Sequence, residues 1–386
     1  MITKPIPYGR QHITDDDIQC VIEALKSDYL TQGPKIKEFE NAFASYVGCE
    51  YSVAVNNATA ALHLAATVLG VKPGDKVIVT PLTFAASANC IRYCGGDVVF
   101  CDIDKDTYLL DINKLRSLLS QSPKGTYKGI VLVDFAGYPA DLKEFRELAD
   151  EYGLWIIEDA CHAPGAYFLD SNGEKQFCGN GRFADISVFS FHPVKHIATG
   201  EGGMATTNSK ELYDKLCLYR THGITKDPAL LHENHGGWYY EMQDLGYNYR
   251  ITDFQSALGI SQLKRADIGL NRRQEIAKRY REGLSGLPGV KLPFVSDRVY
   301  HAYHLFIIQV EDRLGLYDYL HKNNVYAQVH YVPLHLTPYY RQFGNKEGDL
   351  PVMEDYYKHC LSLPMYPTLT EEEQDYVIDK IREFIS

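Results

Sequence analysis

The chain has 386 residues, which is long enough for two domains or one large α/β domain. Apolar residues make up 45% of it and aromatic residues 12%, a composition that excludes a disordered chain. The formal net charge of −11 argues against nucleic acid or an anionic membrane surface as the main partner.

The first residues contain no apolar signal core, and the longest apolar runs are much shorter than a membrane span. The nine cysteines follow no framework spacing, and Cys90, Cys94 and Cys101 have no second cysteine pair or histidine nearby. We therefore expect reduced thiols, no metal site, no membrane or nucleic-acid partner, and a cytoplasmic protein.

The first half of the chain predicts alternating strands and helices. The predicted strands are short, rich in valine and isoleucine, and continuously apolar, which is typical of strands buried on both faces of a mostly parallel sheet. These strands are residues 51–55, 76–80, 97–101, 129–134, 154–158, 186–191 and 204–207. The predicted helices are residues 15–26, 35–47, 58–69, 85–93, 111–120, 141–152 and 209–221.

The pattern changes after one or two long helices predicted for residues 252–284. Two strands, 303–310 and 325–331, alternate with the helices 314–322 and 370–384. We expect a large domain with a mostly parallel central sheet in residues 1–255. A long helix would join it to a smaller α+β domain in residues 256–386.

Lys195 follows the predicted strand 186–191 in a segment with few other charges. Desolvation at such a place lowers the pKa of a lysine and leaves its amine free to attack a carbonyl. Lys195 is therefore a candidate for a covalent bond to a carbonyl compound. The alternative is an ordinary surface lysine in a loop.

Three other strand ends carry suitable partners, because ligands of parallel sheets collect at the carboxyl ends of the strands. Ala58 and Thr59 begin a helix and form a candidate anion site, unless Asn57 merely caps that helix. Phe84 could cover a planar ligand or belong to the core. Asp159 could pair with a cation or cap a turn, and His162 could bind a phenolic oxygen or be a core histidine.

Together these residue types match the requirements of pyridoxal 5′-phosphate. The lysine would bind its aldehyde, the carboxylate would keep the ring nitrogen protonated, the aromatic side chain would stack on the ring, and the helix N-terminus would hold the phosphate.

The segments NNATAAL, TPLTFAASAN, EDACHAPGA, SFHPVK and GYNYRITDFQSALGISQLKR resemble the nucleotide-sugar aminotransferases of the DegT/StrS type. The resemblance extends over residues 8–366. It implies the aspartate aminotransferase fold (fold type I of the pyridoxal-phosphate enzymes) and a homodimer with shared active sites. The catalytic residues implied by it are Lys195 and Asp159. The implied cofactor contacts are Ala58, Thr59, Phe84, Asp159, His162, Ser190, Lys195 and, across the dimer, Asn248.

Within the family, SDYLTQG and AQVHYVPLHLTPYYRQF are most similar to members that aminate the 4-keto group of a UDP-2-acetamido-2,6-dideoxy-hexos-4-ulose with L-glutamate as donor. Ala58 stands where the motif usually has glycine, a change that keeps the backbone donor. The implied contacts to the UDP-sugar are Tyr8, Tyr29, Leu30, Thr31, Gln328, Val329, His330 and Tyr331.

Three alternatives stay open. The substrate could be a different dTDP-, GDP- or UDP-linked keto sugar. The reaction could be a dehydration, although relatives of that kind replace the lysine by histidine and Lys195 is present here. The chain could also bind pyridoxal phosphate as a non-catalytic regulatory protein.

Overall fold

A computed structural model describes residues 4–386 and confirms a mixed α/β fold around a central, mostly parallel sheet. The strands are β1 Ile6–Pro7, β2 Tyr51–Val55, β3 Lys76–Val79, β4 Asp97–Phe100, β5 Tyr127–Val133, β6 Trp155–Asp159, β7 Tyr167–Leu169, β8 Lys175–Phe177, β9 Ile186–Ser190, β10 Gly203–Thr207, β11 Ile224–Thr225, β12 Glu241–Met242, β13 Val290–Lys291, β14 Val299–Tyr300, β15 Phe306–Val310, β16 Val325–Tyr326 and β17 Cys360–Leu363.

Helices cover the sheet and build the C-terminal part of the chain. They are α1 Asp15–Leu25, α2 Pro34–Val47, α3 Ala58–Val68, α4 Ala86–Tyr93, α5 Ile112–Ser120, α6 Leu142–Tyr152, α7 Lys210–Arg220, α8 Asp253–Leu263, α9 Ala266–Leu284, α10 Arg313–Lys322, α11 Pro338–Arg341, α12 Pro351–His359 and α13 Glu371–Ile385. Short 3-10 turns lie at Phe135–Gly137 and Leu334–Leu336.

The central sheet has seven strands in the order β2-β10-β9-β6-β5-β3-β4. Pairing is parallel from β9 through β6, β5 and β3 to β4, whereas β10 is antiparallel to both β9 and β2. Six strands therefore share one direction, and their carboxyl ends meet at one edge. The valine and isoleucine runs produce this sheet because both of its faces are covered by helices.

Helix starts carry the local signals that their sequences predict. Thr14 caps α1 in a capping box with Asp17, and Thr252 and Thr370 cap α8 and α13 in the same way. Asn57 caps α3 by accepting a hydrogen bond from the Ala60 N–H at 2.8 Å. These caps satisfy N–H groups that a helix cannot pair internally, and the Asn57 cap sets the point at which the chain leaves β2.

The C-terminal part has a small antiparallel sheet, β13-β15-β17, packed with α9, α10 and α13. Its core includes Ile6 from the N-terminal end, because β1 pairs in parallel with β16. The division at residues 255 and 256 stays a prediction.

Two predicted strands of this part are shorter than expected. The strand predicted for residues 303–310 begins at Phe306, because Tyr303 has a φ of 47° and leaves the extended conformation. The strand predicted for residues 325–331 ends at Tyr326, and beyond it Gln328 makes one isolated bridge to Ser362.

Within residues 4–386, the helices are too short or too polar for any of them to cross a bilayer. The nine cysteines are free thiols; Cys90 and Cys101 are buried, whereas Cys94 is half-buried.

Candidate functional site

A cavity of about 630 Å³ opens where the carboxyl ends of β2, β3, β6 and β9 meet. Its other wall comes from Tyr8 and from three residues of the C-terminal part, His304, His330 and Tyr331. Ten predicted site residues line it, namely Tyr8, Ala58, Thr59, Phe84, Asp159, His162, Ser190, Lys195, His330 and Tyr331. The sheet edge thus gathers residues that are far apart in the sequence.

Lys195 lies half-buried in this cavity, in the turn that follows β9. Its backbone N–H donates to the His192 carbonyl at 2.9 Å, which closes the turn. Burial is the main reason why the pKa of Lys195 is lowered, and the buried Arg273 guanidinium lowers it further. Cys161 and Asp159 oppose the shift without reversing it. This position favours the uncharged amine, in contrast to the setting of a solvated surface lysine.

Asp159 ends β6 and is only 6% exposed. The Ser87 hydroxyl donates to its Oδ2 at 2.5 Å, and the Cys161 N–H donates to its Oδ1 at 3.1 Å. Thr83 extends the chain of hydroxyls, since its Oγ1 lies 2.7 Å from the Ser87 Oγ. These donors fix a carboxylate at the cavity wall, where it can accept a hydrogen bond from a protonated ring nitrogen.

His162 is oriented by the backbone. The Ala136 N–H donates to its Nδ1 at 3.2 Å, which places the ring proton on Nε2. Nε2 lies 3.4 Å from the Tyr331 hydroxyl. Burial lowers the pKa of His162 well below its usual value, so the ring is neutral and offers one N–H to a ligand oxygen.

The start of α3 fits a phosphate. Among residues 4–386, the N–H groups of Ala58 and Thr59 have no acceptor, because Asn57 caps the N–H of Ala60 instead. Ser190 adds a hydroxyl from the end of β9. Gly203 allows β10 to approach this turn, since a Cβ there would lie 2.6 Å from the Ala58 nitrogen. Free donors, a helix N-terminus and a carboxylate across the cavity match the donor set that pyridoxal phosphate requires.

A Gly203→Ala change is expected to weaken cofactor binding by about tenfold or more, because the new Cβ would push the α3 N-terminus out of position. Titration of the apoenzyme with pyridoxal phosphate measures this dissociation constant. Gly269→Ala in α9 is the matched control, because its Cβ would meet only Pro367 at 3.6 Å. An unchanged dissociation constant in a folded Gly203→Ala protein would contradict this account of the phosphate site.

Six predicted site residues lie away from the cavity of their own chain. Tyr29 and Leu30 are 54% and 51% exposed in the loop before α2, and Thr31 bridges to Thr252. Asn248 is exposed in the segment beside the end of β2. Gln328 is exposed and Val329 half-buried, outside the cavity lining. The substrate and cofactor roles of these six residues stay predictions.

Several residues of the site were not predicted. Ser87 is buried behind the cavity wall, where its hydroxyl donates to Asp159, and its position three residues after Phe84 in TPLTFAASAN could have suggested it. Glu201, within the ATGEGG stretch, borders the cavity. His304 comes from an apolar stretch without any site-like spacing, yet its Nε2 lies 3.5 Å from the Lys195 Nζ.

Asp134, Glu158 and Cys178 form a buried cluster beneath the site, with ligand atoms within 4.8 Å of one another. Asp134 accepts from the Ala140 N–H at 2.9 Å, and Glu158 accepts from the Gly179 N–H at 3.0 Å. Burial, followed by the charge of Glu158, raises the pKa of Asp134 well above its usual value. Burial and the neighbouring Glu158 carboxylate therefore favour the protonated form of Asp134.

Five buried histidines in and near the cavity lead us to expect that the free energy of unfolding falls in acid. Burial lowers the pKa of His301 to about 3 and of His330 to about 4, and it lowers the pKa values of His162, His196 and His304 well below the usual one. Below a pH of about 6.5 these histidines become protonated in the unfolded chain but stay neutral in the folded chain. Each such histidine therefore removes up to about 1.4 kcal/mol of unfolding free energy per pH unit as the pH falls from 6.5 to its folded pKa.

Asp134 and Glu158 contribute in the opposite sense, because their pKa values are raised, but they are two groups against five. The net effect is measured by the urea concentration at half-unfolding, determined at about pH 7.5 and at about pH 5. We expect the lower urea midpoint at the lower pH. Equal midpoints would contradict the neutral state of the buried histidines.

Comparisons with known proteins agree with this geometry. A family model described as the DegT/DnrJ/EryC1/StrS aminotransferase family matches residues 11–382. The spore coat polysaccharide biosynthesis protein SpsC of Bacillus subtilis is 39% identical, over 98% of this chain and 97% of that protein. A UDP-4-amino-4,6-dideoxy-N-acetyl-beta-L-altrosamine transaminase of Campylobacter jejuni is 37% identical, over 97% and 96%. A GDP-perosamine synthase of Escherichia coli O157:H7 is 33% identical, over 99% of each.

Solved structures are similar over almost their full lengths. PseC of Helicobacter pylori, described as an aminotransferase involved in the biosynthesis of pseudoaminic acid, has a TM-score of 0.89 at 30% identity and 99% coverage of each chain. The PLP-form of Spr1654 from Streptococcus pneumoniae has a TM-score of 0.88 at 30% identity, over 99% of this chain and 98% of that one.

Proposed function

Because the chain belongs to the DegT/DnrJ/EryC1/StrS aminotransferase family, we propose that it transfers the amino group of L-glutamate to a UDP-linked 4-keto sugar. The sugar would be the 2-acetamido-2,6-dideoxy-hexos-4-ulose, and the pathway would be pseudaminic acid biosynthesis. The observation that carries the amino transfer is the single cavity in which Lys195, Asp159, His162 and the α3 N-terminus face one another.

The chain is a pyridoxal-phosphate-dependent sugar aminotransferase, as its family and its structural neighbours are. When bound, the cofactor supplies an aldehyde for an incoming amine and a ring that takes up the electron pair left when the α-proton departs. In the proposed assignment, Lys195 holds the aldehyde. Asp159 holds the ring nitrogen, His162 and Phe84 contact the ring, and Ala58, Thr59 and Ser190 hold the phosphate.

Lys195 would also move the proton. Its Nζ is uncharged at neutral pH to a greater extent than that of an exposed lysine, because burial lowers its pKa. Once an amino donor has displaced it, Nζ would take the α-proton as a base and deliver it as an acid to the carbon that had been the cofactor aldehyde. Asp159 would hold the proton at the ring nitrogen throughout, since two donors stabilise its charge.

The UDP-sugar assignment is supported by the relatives named as UDP-altrosamine transaminases and by PseC. Aromatic rings line the cavity from both sides. The ring centroid of Phe84, which follows β3 and is 62% exposed, lies 6.4 Å from that of Tyr331 on the opposite wall, and the ring centroids of Tyr8 and His330 lie 5.2 Å apart. Such rings, with the Tyr8 and Tyr331 hydroxyls, suit the faces and hydroxyls of a sugar nucleotide.

A panel of keto sugars tests the substrate. Purified enzyme, L-glutamate and one UDP-, dTDP- or GDP-linked keto sugar are incubated, and the product is identified by mass spectrometry and NMR. We expect an amino sugar from the UDP-linked 4-keto sugar at a kcat/KM at least about tenfold above the others. Preference for a GDP- or dTDP-linked sugar would overturn the assignment.

A different nucleotide sugar is the second candidate, favoured by the GDP-perosamine synthase at 33% identity. The same panel distinguishes further outcomes. A deoxy product formed without an amino donor would indicate a dehydratase. A bound cofactor without turnover of any donor or keto sugar would indicate a regulatory protein.

The proposal includes a homodimer with shared sites and a cytoplasmic location. The dimer is supported by exposed apolar side chains on α1 and on the segment before Asn248. These include Ile18 (50% exposed), Leu25 (54%), Trp238 (75%) and Leu245 (74%). A partner subunit at these surfaces could bring Tyr29, Leu30, Thr31 and Asn248 to a cavity. The location is supported by the nine free thiols.

A further inference from the structure

His304 is the side chain nearest to the Lys195 amine on the wall opposite the sheet. Its Nε2 lies 3.5 Å from the Lys195 Nζ, across 109 residues of sequence. Its Nδ1 has no hydrogen-bond partner within residues 4–386, and the residue is only 4% exposed. A buried imidazole normally satisfies its nitrogens, so a ring whose one polar contact is the Lys195 amine is unusual.

The backbone around His304 is held at both ends. The Ala302 N–H donates to the Gly137 carbonyl at 2.8 Å, and the Leu305 N–H donates to the Ala136 carbonyl at 3.2 Å. The same Ala136 directs its N–H to His162. One short turn at the end of β5 therefore fixes the imidazoles of His162 and His304, whose ring centroids are 4.3 Å apart.

Arg273 completes this support from α9. Its Nη1 donates to the carbonyls of Tyr303 and Met365 at 3.0 Å and of His304 at 3.4 Å, and the residue is only 1% exposed. Tyr303, directly before His304, has a φ of 47°, which is uncommon for a non-glycine residue. Left-handed backbone of this kind is retained where surrounding contacts impose it, and it is concentrated at functional sites.

We propose that His304 is a positioning residue for Lys195, holding the amine through Nε2 in a ring orientation that Arg273 and the 135–137 turn impose. The 3.5 Å separation is long for a hydrogen bond, and contacts of this kind shorten once a site is loaded. The Lys195–His304 pair is surrounded by five charged or titratable groups, namely His162, His196, Arg273, Asp159 and Cys161. The inference rests on the proposed role of Lys195.

Two amide variants separate positioning from mere space-filling. The amide of His304→Gln reaches the place of Nε2, whereas the amide of His304→Asn reaches only the place of Nδ1. The readout is the rate at which the apoenzyme captures pyridoxal phosphate, followed by absorbance, with borohydride trapping to locate the bond. We expect His304→Asn to slow capture about tenfold or more and His304→Gln to remain within about threefold of the parent.

Control variants distinguish a loss of positioning from a general loss of stability. His335→Gln removes another buried imidazole, one paired with Glu354 at 3.0 Å, and should lower the melting temperature without slowing capture. If His304→Asn does not fold, His304→Phe takes its place, with the same slow capture expected. Equal capture rates for the Gln variant and the Asn or Phe variant would overturn the inference. Normal capture by Lys195→Ala would instead overturn the proposed role of Lys195.

Discussion

Replacement of Lys195 by alanine is expected to lower the kcat of amino transfer by about a thousandfold or more. The variant would lose the amine that we propose to bind the cofactor aldehyde and to move the α-proton. No other lysine can replace it, because Lys195 is the one lysine among the residues that line the cavity within the described range 4–386. The cofactor absorbance typical of a lysine-bound aldehyde should disappear together with activity.

Two further variants make this result specific. Lys195→Arg keeps a positive charge but has no amine of adjustable pKa, and it should be as inactive as the alanine variant. Lys215→Ala removes an exposed lysine that pairs with Glu211 on α7, and it should keep full activity. Full activity in Lys195→Ala would show that the cavity works without this side chain.

The change of Asp159 to asparagine is expected to lower kcat by about a hundredfold or more while the fold is retained. The new side chain has the same shape but no negative charge, so it cannot hold a proton on the ring nitrogen of the cofactor. Because Asp159 is buried and receives hydrogen bonds from Ser87 and Cys161, its charge is little screened by water. Single-turnover kinetics with L-glutamate measure the affected step.

Ser87→Ala provides a graded comparison. It leaves the carboxylate but removes the hydroxyl that donates to it at 2.5 Å, so we expect a loss of about tenfold. Asp214→Asn on the surface of α7 controls for the loss of one negative charge and should have no effect. A kcat for Asp159→Asn within about twofold of the parent would exclude a charged partner for the ring at this position.

The sheet could be predicted from the sequence because each strand is indicated by the apolar residues within its own short segment. Continuous apolar runs such as residues 51–55 and 186–191 predict buried parallel strands, and their carboxyl ends must then share an edge. Ala58, Phe84, Asp159 and Lys195 follow those ends, so their convergence on one cavity follows from the topology. The antiparallel direction of β10 has no equally local signal.

The opposite wall could not be predicted in the same way. His304 precedes β15 in an apolar stretch, and it reaches Lys195 only through contacts of Arg273 and the 135–137 turn. The residues after β16 lie in two different environments, the cavity and the solvent-exposed surface. His330 and Tyr331 enter the cavity, whereas Gln328 pairs its backbone with Ser362 and points its side chain to solvent. Packing between distant segments decides both cases.

The most direct test is the two half-reactions of the purified, cofactor-loaded enzyme, followed by absorbance. L-Glutamate alone should convert the lysine-bound aldehyde form of the cofactor into its amine form and release one equivalent of 2-oxoglutarate. Adding the UDP-linked 4-keto sugar should then restore the first spectrum. A spectrum that glutamate leaves unchanged, or that no keto sugar restores, would contradict amino transfer at Lys195.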